Sequence, residues 1–132
     1  MAKIQKFEDL EIWRLAREIC KQIDNLIQNT DLKTNYALRN QIDRSSGSIM
    51  DNIAEGFERN GNREFINFLS IAKGSAGEVK SQSYRAFDKK LISEEQTFKV
   101  KWNDWASKEQ NWSNDELSKQ LRNKRTKIQV TF

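Results

Sequence analysis

The stretch REFINFLSIAKGSAGEVKSQSYRAF, residues 63–87, decides the fold class. Apolar and small residues return every three or four positions: Phe65, Phe68, Leu69, Ala72, Ala76, Val79, Ser83, Ala86 and Phe87 lie close to one helical face. A helix is predicted from about Arg63 onward. Gly74, Ser75, Ala76 and Gly77 interrupt it with small residues, and each mid-helix glycine costs about 1 kcal/mol relative to alanine. The spacing therefore predicts close approach of another backbone at that point.

Working outward, Arg59-Asn60-Gly61-Asn62 reads as a loop, and the segment before it as a second helix ending near Gly56. Its buried stripe is Leu38, Ile42, Ser46, Ile49 and Ile53, with Ala54 beside it. Gly56 fits either a helix C-terminus or a close contact. The polar run from Asn29 to Asn35 supplies a reversal of direction. Ahead of it a first helix is predicted from Glu8 or Asp9 to Asn29 or Thr30, with Leu10, Trp13, Ala16, Cys20, Ile23 and Ile27 on one face and Phe7 as an N-terminal staple. Downstream, Ser93-Glu94-Glu95-Gln96 has the form of a capping box and opens a fourth helix presenting Phe98, Trp102, Trp105 and Trp112.

The 132-residue chain has no proline, and strands have little support. The predicted fold is all-α, an up-down-up-down four-helix bundle over residues 1–112 followed by a basic tail over 113–132. One core is expected at this length. No run of 18 or more apolar residues exists, and the opening MAKIQKFEDLEIW has no signal-peptide stretch, so a cytoplasmic protein with no membrane partner is expected. The lone Cys20, between Ile19 and Ile23, reads as a small buried hydrophobe rather than a reactive thiol.

Histidine is absent, which removes the commonest proton shuttle and metal ligand. No Gly-rich phosphate loop or nucleophile elbow appears, so no enzyme, metal or cofactor is expected. The net charge of +4 is uneven: residues 1–116 carry 18 Lys/Arg against 19 Asp/Glu, while 117–132 carry five basic residues and no acid. Such a tail fits nucleic-acid contact and equally a solvated terminus.

Three blocks carry a resemblance. Lys6-Phe7-Glu8-Asp9-Leu10-Glu11-Ile12-Trp13, then Ile42-Asp43-Arg44-Ser45-Ser46-Gly47-Ser48-Ile49 leading into Asn52-Ile53-Ala54-Glu55-Gly56-Phe57, then Arg63 to Ser75 with Gly77-Glu78, together resemble the four-helix-bundle family of large-subunit (23S) rRNA intervening-sequence proteins. The resemblance covers residues 6–95 in order and stops near Phe98. That family includes the accessory variability proteins of diversity-generating retroelements. The resemblance thus implies a homopentamer that binds nucleic acid and a reverse transcriptase through a basic surface. Two departures stand out: Met50 occupies the place of a common mid-helix proline, and the tryptophan-rich, then basic, end replaces a long, leucine-patterned, acidic helix. A frameshift or recombination at the 3′ end of the gene would produce such an end; a leucine-patterned helix encoded in neither other reading frame would rule it out.

Within the motifs, Asn52 and Glu55, like Ser75 and Glu78, are three apart and so near neighbours on their helices. They are read as a structural polar network between helices two and three, with a catalytic carboxylate pair as the weaker alternative. Arg44, Arg59, Arg63, Lys73, Lys80 and Arg85 are candidates for a phosphate-contacting track completed by assembly, against the bland reading of a solvated face. Lys119, Arg122, Lys124, Arg125 and Lys127 are the densest basic cluster: an RNA-binding tail or a merely solvated one. Trp102, Trp105 and Trp112 fit one packed helix face better than a base-stacking set. The sequence thus predicts a non-enzymatic, self-assembling module binding structured RNA or an RNA-handling partner, with a protein–protein scaffold as the alternative.

Overall fold

The computed structural model describes residues 4–100 and 105–107, the Phe98 side chain excepted, and all regular structure among them is helical. Three long helices dominate: α1 (Glu11–Asn29), α2 (Tyr36–Glu58) and α3 (Asn62–Asp88), with a short α4 (Glu94–Lys99) after them. α2 packs along α3 and, less extensively, along α1. The up-down-up-down arrangement of four long helices is not seen among the described residues, because α4 spans only six.

Local chemistry sets the boundaries. The Asp9 carboxylate accepts the backbone N–H groups of Gln5 (3.0 Å) and Lys6 (3.2 Å), closing a 3₁₀ turn over Phe7–Asp9. α1 therefore starts at Glu11, later than the expected Glu8 or Asp9. Phe7 lies in the 3₁₀ turn rather than just before the N-cap of α1, so in place of the expected staple its ring meets the Trp13 ring edge-on at 5.1 Å. The buried face of α1 is Ile12, Ala16, Ile19, Ile23, Leu26 and Ile27, with Leu10 buried just before it. Trp13 and Cys20 lie at its margin, half-buried, because Ile12, Ile19 and Leu26, seven apart, turn the stripe toward themselves.

The predicted reversal is a second 3₁₀ turn, Asp31–Thr34, anchored by a fully buried Leu32. Asn35 then caps α2, its side chain accepting the Leu38 N–H at 3.1 Å. The stripe Leu38, Ile42, Ser46, Ile49 and Ile53 is buried as expected, and the helix runs without a break through Met50. It also passes Gly56, because that glycine serves packing: a Cβ there would lie 2.6 Å from Phe68 Cβ and 3.0 Å from Phe65. Asn60, with φ 59°, turns the chain into α3.

In α3, Phe65, Leu69, Ala72, Val79, Ser83 and Ala86 are buried, joined by Ser75 and Gln82. Phe68 is half-buried and Phe87 is 36 % exposed, so the predicted face is narrower than expected. Among the described residues the expected close approach at the glycines does not occur: a Cβ on Gly74 or Gly77 would meet nothing within 4 Å. Both glycines are exposed, while the buried residues of α3 face α2.

α4 opens on the expected capping box: Ser93 Oγ accepts the Gln96 N–H (3.1 Å), and Gln96 Oε1 accepts the Ser93 N–H (2.8 Å). Beyond it, Val100 and Trp105 join the core. Trp105 is 1 % exposed, and its indole N–H donates to the Ile12 carbonyl at 3.1 Å. Packing rather than stacking on a ligand is thus its role, while Trp102 and Trp112 lie outside the described residues, as does the tail 113–132. Among the described residues no helix is long and apolar enough to cross a membrane.

Candidate nucleic-acid interface

α2 and α3 run antiparallel, and polar side chains at heptad spacing line one seam between them. On α2 these are Gln41, Ser45, Ser48 and Asn52; on α3, Ser75, Glu78, Gln82 and Arg85. Ser48 Oγ and Ser75 Oγ lie 2.9 Å apart and bridge the helices. Asn52 Nδ2 donates to the Ser48 carbonyl (2.7 Å) and to Ser48 Oγ (2.8 Å). Ser45 Oγ donates to the Gln41 carbonyl at 2.9 Å and reaches Glu78 Oε2 at 3.4 Å. Arg85 Nη1 donates to Gln41 Oε1 at 3.0 Å. Asn52 and Ser75 therefore meet through Ser48, while Glu78 reaches α2 separately through Ser45; neither serine was among the residues predicted for the network. Their signal was present: positions 45, 48 and 52 share the 3–4 spacing of a helix edge. Glu55 stands apart and pairs with Arg59 at 3.0 Å on the surface.

The basic candidates fall into three groups. Arg59 and Arg63 sit at the α2–α3 turn, where the Arg59 guanidinium also lies 5.5 Å above the Phe68 ring. Arg85, bonded to Gln41, and Arg44, one turn further along α2 from Gln41, lie toward the other end of the hairpin. Lys73 and Lys80, seven apart, occupy the outward side of α3. One protomer does not join these groups into a single track. Lys119, Arg122, Lys124, Arg125 and Lys127 lie outside the described residues.

The outward side of α3 has a second property. Ile66 and Tyr84 are eighteen residues apart, five full helical turns, so they share a line; Gly77 and Lys73 fall close to it. Ile66 is 50 % and Tyr84 41 % exposed, with Ile71 (53 %) and Phe87 (36 %) elsewhere on the same helix. Four large apolar side chains on one helix thus face solvent in the single chain.

Cys20 takes no part in either surface. Its thiol donates to the Ser46 carbonyl at 3.1 Å, and burial pushes it up to about 11. A protonated, half-buried thiol is a poor nucleophile at neutral pH. Among the described residues, no group of three or more Cys, Asp or Glu side chains is placed to hold a metal ion.

The 23S rRNA-intervening sequence protein model matches residues 8–103, most of the chain. The chain belongs to that family. No curated protein matches it. The family match extends a little past Phe98, where the motif resemblance stops, and takes in the start of the tryptophan-rich segment. In this member of the 23S rRNA-intervening sequence family, the matched region holds α1 to α4 and both surfaces just described.

Proposed function

We propose that the protein is a non-enzymatic helical module of the cytoplasm that assembles with copies of itself, as a homopentamer, and binds structured RNA or an RNA-handling enzyme such as a reverse transcriptase. The observation that carries the reading is the outward side of α3. Two mid-helix glycines cost together about 2 kcal/mol of helix propensity, and among the described residues nothing repays it at Gly74 or Gly77. Backbone approach by another copy, with Ile66 and Tyr84 covered on the same line, gives both features a purpose. The ring of five is proposed on the resemblance of the sequence motifs to retroelement accessory proteins. The bundle is read as four-helix, its fourth member begun by α4; Trp105 against Ile12 supports that reading.

RNA enters through charge. Lys73 and Lys80 lie along one side of the assembly line, and Arg44 and Arg63 are exposed on other faces. Assembly repeats these groups around a ring and turns scattered cations into a field that attracts phosphates. A protein scaffold with no nucleic-acid role is the second reading, favoured by the near-neutral balance of residues 1–116. A gel-shift titration with structured RNA across a salt series separates the two. Affinity falling steeply as salt rises supports the RNA module; an assembled protein indifferent to RNA at low salt leaves the scaffold.

A further inference from the structure

The turn between α1 and α2 carries chemistry that neither the assembly line nor the polar seam uses. Tyr36, the first residue of α2, is 66 % exposed, more than any other large apolar side chain described. The Arg39 guanidinium lies 4.8 Å from its ring centroid, and Arg39 Nη1 donates to the Lys33 carbonyl at 3.3 Å. Two contacts therefore hold the Arg39 guanidinium beside an aromatic ring at the protein surface. Beside them a half-open groove of about 290 Å³ brings together Asp24, Gln28, Lys33, Arg39, Asn40 and Asp43. That volume lies just below the range of ligand pockets, ~300–1,000 Å³, and has room for a single planar ring.

We propose that this turn is a binding site for one unpaired nucleotide of RNA, an inference that rests on the RNA-binding reading above. Unpaired bases are recognised by stacking on aromatic rings and guanidinium planes, with their edges hydrogen-bonded. The Tyr36–Arg39 pair supplies the stacking surface. Gln28 and Asn40 offer amide donors and acceptors to a base edge, and the carboxylates of Asp24 and Asp43 accept amino or imino N–H groups. The same carboxylates repel phosphate, so the base turns into the groove and its phosphate stays outside, toward the Lys33 ammonium. A perfect duplex, with its bases stacked inside, cannot fill this site.

The test is a fluorescence titration of two RNAs, a hairpin with 2-aminopurine in its loop and the same stem as a blunt duplex, against the full chain and its Tyr36→Ala and Arg39→Gln variants. Tyr36 is exposed at a helix start, so its replacement leaves the fold intact, checked by an unchanged melting temperature. The proposal expects the hairpin to bind more tightly than the duplex. Both variants should weaken hairpin binding about 5- to 150-fold, the loss of one base–aromatic stack of ~1–3 kcal/mol, and Tyr36→Ala should leave duplex binding unchanged. A loss confined to Arg39→Gln means bare charge alone and overturns the site, as does equal binding of hairpin and duplex by the unaltered protein. A protein that binds neither RNA removes the RNA reading itself, and this site with it.

Discussion

At the scale of single residues, burial and hydrogen bonding decide what each polar group can do. Desolvation favours the neutral form of the Cys20 thiol and raises its pKa from 9.0 to about 11. Stability owed to the protonated thiol is complete below pH 9 and is lost as pH climbs toward 11. Iodoacetamide should therefore label the native protein at pH 8 far more slowly than the urea-unfolded chain; equal rates would mean an ordinary exposed thiol. Asn52 shows the opposite dependence, on partners rather than solvent. Its amide makes two bonds to Ser48, whose hydroxyl in turn meets Ser75 across the helix pair. Asn52→Ala should lower stability by about 1–2 kcal/mol in urea unfolding, and a change within a few tenths would detach Asn52 from the network. The sequence placed Asn52, Ser75 and Glu78 on facing helix edges, but the serines they bond to carry no apolar period and went unread.

At the scale of elements, helix ends record local chemistry. Lys90 ends α3 in the left-handed region with φ 62°, and its N–H and that of Leu91 return to the Phe87 and Ala86 carbonyls. A non-glycine residue there costs about 1 kcal/mol, so Lys90→Gly should raise the midpoint of thermal unfolding, and an unchanged or lower midpoint would contradict this account of the terminus. The three long helices were legible because their apolar residues repeat at helical period over many turns. Their exact ends were less so: α1 starts late because Asp9 folds back onto Gln5 and Lys6, and α2 outruns Gly56 because that glycine admits the side chains of Phe65 and Phe68. One sequence signal, a glycine within a helical pattern, thus has different meanings at different positions. At Gly56 it marks packing inside the chain, and at Gly74 and Gly77 it marks a surface.

At the scale of the whole molecule, that contrast becomes a test of assembly. Gly56→Ala should destabilise the fold by about 1–3 kcal/mol, as overpacking does. Gly77→Ala should leave the protomer folded, or stabilise it by up to about 1 kcal/mol, while weakening association, read as a higher concentration for half-dissociation in sedimentation. A Gly77→Ala protein that associates as tightly as its parent would separate the outward side of α3 from the subunit contact. The basic candidates were legible as residue types but not as a site, because their grouping depends on tertiary placement and on neighbours such as Gln41 and Phe68. Tyr36 and Arg39 went unread because an exposed aromatic at a helix start contributes nothing to an apolar period.

The proposed self-association would cover the α3 surface and gather its cations, and light scattering of the purified protein at physiological salt tests it most directly. The account predicts a particle of five times the 15.5 kDa chain mass. A single-chain mass persisting at high protein concentration would contradict it.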